Sequence, residues 1–199
     1  MDAAGFDQWF DGDCFGFLPP GSDAHTILLC HSRRVTEKTL TVADNLPPRF
    51  KVDRTFLAEA AMLHDIGILR TNAPKLGCHG SLPYLAHTIA GRKILEAEGY
   101  PRHALVCERH VGVGLSATEI RAEKLPLPER DMLPLSLEEQ IVTYADLFFS
   151  KNPKENDVER PVEKVSRTLA HYGEEKVAVF DTWHALFHAP FASERDKAC

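Results

Sequence analysis

Five cysteines, at 14, 30, 78, 107 and 199, are spread through the 199 residues, and no C-x-x-C pair occurs. An odd, dispersed set excludes a disulfide framework and a thiolate zinc site, and it fits a reducing compartment. No run approaches the ~20 apolar residues that a membrane span requires. The acidic stretch Met1–Asp13 has no apolar h-region, so a signal peptide is not expected. The expectation is a cytoplasmic protein with no membrane partner. Basic excess is missing too: 23 Lys and Arg face 29 Asp and Glu, a formal net charge of −6. That excludes a non-specific nucleic-acid binder and leaves room for a small phosphorylated ligand in a local basic pocket. Strand-period alternation, internal repeats, low-complexity tracts and an H-E-x-x-H motif are all absent.

What remains is apolar, helical and rich in punctuation. Apolar residues make up 44% of the chain and charged residues 26%, enough for one domain with a sizeable core. Residues 1–24 read as an irregular lead-in that packs its aromatics (Phe6, Trp9, Phe10, Phe15, Phe17) on the domain. A helix is predicted from Ser22 or Asp23 to about Asn45, either residue serving as N-cap, and a second opens at Asp53. Thr71–Ser81 has loop composition and could form a lid or a wall beside a site. Leu82–Gly99 and Arg102–Val111 are predicted helices broken at Gly99-Tyr100-Pro101, and Ser116–Glu123 is a further short one. Ser136-Leu137-Glu138-Glu139 is a capping box and marks a helix start. Two more helices, about 158–171 and 174–188, complete the pattern. The expectation is an all-α bundle of orthogonally packed helices. Its organisation is a lead-in (1–24), a core domain (25–150) and C-terminal helices packing on the same domain (151–199). Trp183, Phe187 and Phe191 serve as core or as a dimer face, so monomer and homodimer both stay open.

The chain is organised around Ala60-Ala61-Met62-Leu63-His64-Asp65-Ile66-Gly67. An apolar helix ends there on an adjacent imidazole and carboxylate. Burying either unpaired is unfavourable, and a divalent metal satisfies both. The bland alternative is a helix end where His64 caps carbonyls and Asp65 faces water. Four further residues weigh against it, because His31, His87, His110 and Asp146 also fall on apolar helical segments or their ends. Their separations are too long for a local motif, so a site would form where helix ends converge.

The order His31, His64-Asp65, Asp146 resembles the HD superfamily of metal-dependent phosphohydrolases, and Ile66-Gly67 extends it to the H-D-I-G form. His87 and His110 match the sub-pattern of members that hold two metals. Glu108–Gly114, Leu125–Pro128, Leu137–Val142 and Ala145-Asp146 are similar to small stand-alone H-D-I-G proteins. The resemblance spans about residues 25–150. It implies one metal on His31, His64, Asp65 and Asp146. It also implies a second on His87 and His110, with Asp65 bridging and the His64-Asp65 pair at the reacting water. The ions would be Fe, Mn, Ni, Co or Zn. Two such ions about 3.5–4 Å apart hold water as hydroxide at neutral pH and neutralise phosphoryl oxygens.

Many H-D-I-G proteins carry Lys directly after the Gly; here Ile68 stands there. Arg70 is then the first choice for a phosphate contact, with Arg34 and Lys151 as further candidates. Gly99-Tyr100-Pro101 does not follow a His-His pair, so a cyclic dinucleotide is disfavoured as substrate. His25, His79, His103, His171, His184 and His188 are left outside the site. His184 and His188, spaced i, i+4, could pair on a metal, but aromatic packing with Trp183 and Phe187 explains them. Three functions compete: hydrolysis of a nucleotide or other small phosphate ester, an HD-type mixed-valence di-iron oxygenase with the same ligands, and a non-catalytic scaffold.

Overall fold

A computed structural model describes residues 21–152, 155 and 158–188. The lead-in aromatics and Phe191 lie outside the described residues. Ser22 accepts the His25 N–H and so caps α1 (Asp23–Asn45), which runs into Leu46-Pro47. Asp53 accepts from Phe56 N–H and opens α2 (Arg54–Leu63); His64 closes it, and a 3-10 turn, Ile66–Arg70, follows Asp65. A small antiparallel hairpin comes next, β1 (Asn72–Ala73) with β2 (Cys78–His79). A 3-10 turn at Tyr84–Ala86 leads into α3 (His87–Ala97). Then follow α4 (Pro101–Arg109), α5 (Ala117–Ala122), α6 (Leu137–Asp146), α7 (Val162–Ala170) and α8 (Glu174–Phe187).

The apolar faces of these helices meet in one main core. Val35 of α1, Leu57 and Ala61 of α2, Val106 of α4, and Ile141 and Val142 of α6 are buried together. Val165 and Leu169 of α7, with Phe180, Trp183 and Phe187 of α8, close the same cluster. Each fully buried Leu, Ile or Phe contributes roughly 1.5–3 kcal/mol. Trp183 and Phe187 are thus core side chains. The architecture is helical, as its periodicity indicates, with the hairpin as a minor addition.

Two local readings change. The helix placed at Leu82 begins at His87, because Pro83 is extended and Leu82 gives its N–H to Arg70 O. Ser136 caps α6, but Glu139 turns away from the box and accepts instead from Leu135 N–H and Arg109. The complete capping box sits at Ser116–Glu119, where Glu119 also pairs with Lys176.

The segment after Asp65 is held tightly against α3. A Cβ on Gly67 would lie 1.9 Å from His87 O and 2.3 Å from Gly91 N. Both contacts are backbone atoms, so a rotamer change cannot relieve them. Gly67→Ala is therefore expected to destabilise the fold by about 3 kcal/mol or more, the upper range for overpacking. Chemical denaturation checks this; a loss below about 1 kcal/mol would mean that the two segments part easily.

Candidate metal centre

Five helices bring six side chains to one point. His31 projects from the middle of α1, His64 closes α2, His87 opens α3 and His110 caps α4. Asp65 follows α2, and Asp146 ends α6. The four imidazoles and Asp65 are buried to 2% exposure or less.

Backbone carbonyls set the tautomers. His64 Nδ1 lies 2.7 Å from Ala61 O, His87 Nδ1 2.7 Å from Tyr84 O, and His110 Nδ1 2.9 Å from Cys107 O. A carbonyl only accepts, so each Nδ1 carries the proton and each neutral ring offers its Nε2 lone pair inward. His31 Nε2 is 3.3 Å from His64 Nε2, and His87 Nε2 is 3.3 Å from His110 Nε2. Between them stands Asp65. Its Oδ2 is 3.2 Å from both His31 and His64 Nε2. Its Oδ1 is 3.5 Å from His87 Nε2 and 3.4 Å from His110 Nε2. Asp146 Oδ1 completes the first set, 3.0 Å from His31 and 3.4 Å from His64.

Such a gathering of acceptors repels itself unless a cation or proton sits inside. Both oxygens of Asp65 and Oδ1 of Asp146 are buried, and among the described residues no hydrogen bond of good geometry satisfies them, only ion-pair contacts. Two overlapping groups could hold a metal ion: His31, His64, Asp65 and Asp146, and Asp65, His87 and His110. The donors are imidazole nitrogen and carboxylate oxygen, the set that divalent transition metals take. The residues therefore fit divalent cations, with Asp65 common to both groups.

Lys151 balances part of the charge. Its Nζ is 2.7 Å from Asp65 Oδ2 and 3.7 Å from Asp146 Oδ1. Burial disfavours this ammonium, but Asp146 and Asp65 outweigh burial and hold it firmly protonated. Burial would raise both carboxyls; Lys151 and His64 instead keep Asp65 well below the usual carboxylate range, and Lys151 with His31 does so for Asp146. Burial pulls His64 down, yet the adjacent carboxylates raise it to about 10. Burial dominates at His87 and lowers it to about 4. Because the ammonium stands where a cation would, Lys151→Met is expected to tighten metal binding about tenfold, roughly the 1.4 kcal/mol of one lost competing ion pair. Titration calorimetry of the ion-free protein checks this; unchanged or weaker affinity would remove Lys151 as a competitor.

A cavity of about 260 Å³ borders the cluster, with Asp146, Lys151, Tyr84 and Arg160 on its wall. Lys151 therefore stands between the carboxylates and this cavity. Arg70 and Arg34 lie elsewhere. Arg70 is exposed and lines a separate cavity of about 740 Å³ with Gly80, Ser81 and Lys93. The Thr71–Ser81 segment thus contributes Gly80 and Ser81 to that second cavity, and none of its residues lines the one bordering Asp146. Arg34 is 3.0 Å from Glu37 and lines another cavity with Lys38 and Glu159. His184 accepts from or donates to Tyr144 Oη at 2.8 Å and stacks on Phe180, an aromatic packing role. His103 pairs with Glu59, and His79 is exposed on β2. Tyr84 and Arg160 escaped the sequence reading. Tyr84 could have been found three residues before His87, the spacing at which its carbonyl meets Nδ1; its ring lies 5.1 Å from the imidazole. No signal marked Arg160.

The HD-domain family model matches residues 28–149. Two tRNA (cytidine(56)-2'-O)-methyltransferases are similar in sequence. That of Picrophilus torridus is 34% identical over 64% of this chain, and that of Thermoplasma volcanium 30% identical over 64%. An uncharacterised protein of Methanocaldococcus jannaschii is 37% identical over 58%. The matched part spans 33% of each methyltransferase and 62% of the M. jannaschii protein. No solved structure matches.

Proposed function

This chain belongs to the HD-domain family, and from that premise we propose that it is a metal-dependent phosphohydrolase of small phosphate esters, nucleotides included. The observation that carries the reading is Asp65, whose two oxygens face separate histidine pairs. His31, His64, Asp65 and Asp146 would hold one divalent ion, and Asp65, His87 and His110 a second. Bound there, the pair would supply a hydroxide nucleophile at neutral pH and neutralise phosphoryl charge.

The rest falls to the chain. The Nδ1–carbonyl bonds of His64, His87 and His110 fix three rings, so little reorganisation is needed when ligands are gripped. Lys151, displaced from the carboxylates, would face the substrate's phosphoryl oxygens at the cavity mouth. Apolar walls from Leu147, Phe149 and Leu169 exclude bulk water and strengthen these charges. The methyl transfer named for the two relatives is not carried over, since the match covers a third of each.

The test is a panel of phosphomonoesters and phosphodiesters against protein loaded in turn with Mn, Fe, Co, Ni and Zn. Turnover with redox-silent zinc or with manganese is expected. Absence of hydrolysis with every metal, with oxygen uptake and a mixed-valence signal in the iron form, would overturn the reading in favour of an oxygenase.

A further inference from the structure

Arg160 lies beyond the matched 28–149 and has no assigned task. It is half-buried, and its Nε is buried without a hydrogen bond. Among the described residues it has no carboxylate partner. Neighbouring Glu159 is taken by Lys38 at 2.6 Å. Desolvating a guanidinium group without an acceptor is unfavourable, so something must compensate. Nor is the position accidental. The Arg160 N–H is fixed on Phe148 O at 2.8 Å, and Pro161 caps α7 immediately after it. The side chain lines the cavity that reaches Asp146 and Lys151. Lys151 is engaged with both carboxylates there, so the unmet demand for an acceptor rests on Arg160.

Two more features of this wall bear on the occupant. Apart from Asp146 it carries no carboxylate, while Tyr84, Ser150 and Thr168 supply hydroxyls. Its volume of about 260 Å³ falls just below the usual ~300–1,000 Å³ of a ligand pocket, which favours a compact molecule over a dinucleotide. We propose that Arg160 is a specificity residue that binds a second anionic group, so that the substrate is a compact phosphate ester bearing a carboxylate or similar anion apart from its phosphate. The planar guanidinium matches a carboxylate in two-point geometry. Placing this contact outside the family core lets one metal centre serve a substrate particular to this chain.

The phosphate end of this inference rests on the phosphohydrolase reading, so the test separates binding from turnover. Zinc-loaded wild type, Arg160→Ala and Arg160→Lys are titrated by calorimetry with 3-phosphonopropionate and with its carboxamide, which keeps the phosphonate charge and lacks the carboxylate. Neither probe can be hydrolysed. Wild type is expected to prefer the carboxylate about tenfold or more. The preference should fall to near one in Arg160→Ala and be partly kept in Arg160→Lys. A preference without ester turnover on any panel would sink the phosphohydrolase reading and leave this inference standing. Equal affinity for the two probes, binding of neither, or a preference retained in Arg160→Ala would overturn the inference.

Discussion

Asp65→Asn is expected to reduce phosphoester turnover about 10³-fold or more, since metal stabilisation of the transition state is worth several kcal/mol and each 1.36 kcal/mol is tenfold. The substitution keeps the side chain's shape and removes its second acceptor. A carboxamide offers one oxygen and an NH₂ group that only donates. Oδ2 now faces His31 and His64, and Oδ1 faces His87 and His110. However the amide turns, one histidine pair meets N–H instead of oxygen. Metal content should therefore fall to at most one ion per chain, and the rate should fall with it. Steady-state kinetics and metal analysis on the same preparation check both. A loss of less than tenfold, with two ions retained, would remove Asp65 from its bridging place.

The second large effect is on metal affinity as a function of pH. Without ions bound, His64 is protonated up to about pH 10, because Asp65 and Asp146 hold its proton against the cost of burial. A metal takes the neutral ring, so binding must release that proton. Apparent affinity should then rise about tenfold per pH unit throughout the range below pH 10 and level off near pH 10. The stability of the ion-free protein moves the other way. A pKa raised from the ordinary 6.5 gives stability that is complete below pH 6.5 and is lost as pH rises through about 10. The two aspartates act at the acid end. Their lowered pKa values give stability that is complete above the ordinary carboxylate range and is lost as pH falls below that range toward the lowered values. Thermal melts carried from pH 10 down through the carboxylate range, and metal titrations from pH 6 to 10, check these slopes. Affinity independent of pH across that range would mean that His64 carries no proton in the ion-free site.

Much of the centre was legible because a polar side chain on an apolar helical stripe is conspicuous. His31 stands between Ile27 and Val35, and Asp146 follows Val142 by one turn; both lie in the cluster. Helix ends were legible where a cap was local, as at Ser22 and Asp53. Contacts set by packing between distant segments were not. Arg70 looked near the site by sequence, but the 3-10 turn buries Ile68 and leaves Arg70 exposed. Glu139 reads as half of a capping box until Arg109, thirty residues away, takes its carboxylate. The depth of Lys151 and the place of Arg160 depend on how the chain leaves α6 and enters α7, which no periodicity encodes. Proline at 83 was an overlooked local sign, for it holds the start of α3 back to His87.

Anomalous diffraction from crystals of the fully metal-loaded protein tests the account most directly. It should show two peaks about 3.5–4 Å apart, one on each side of Asp65, with the Lys151 ammonium withdrawn from the carboxylates. A single peak, or ions bound away from Asp65, would contradict the account.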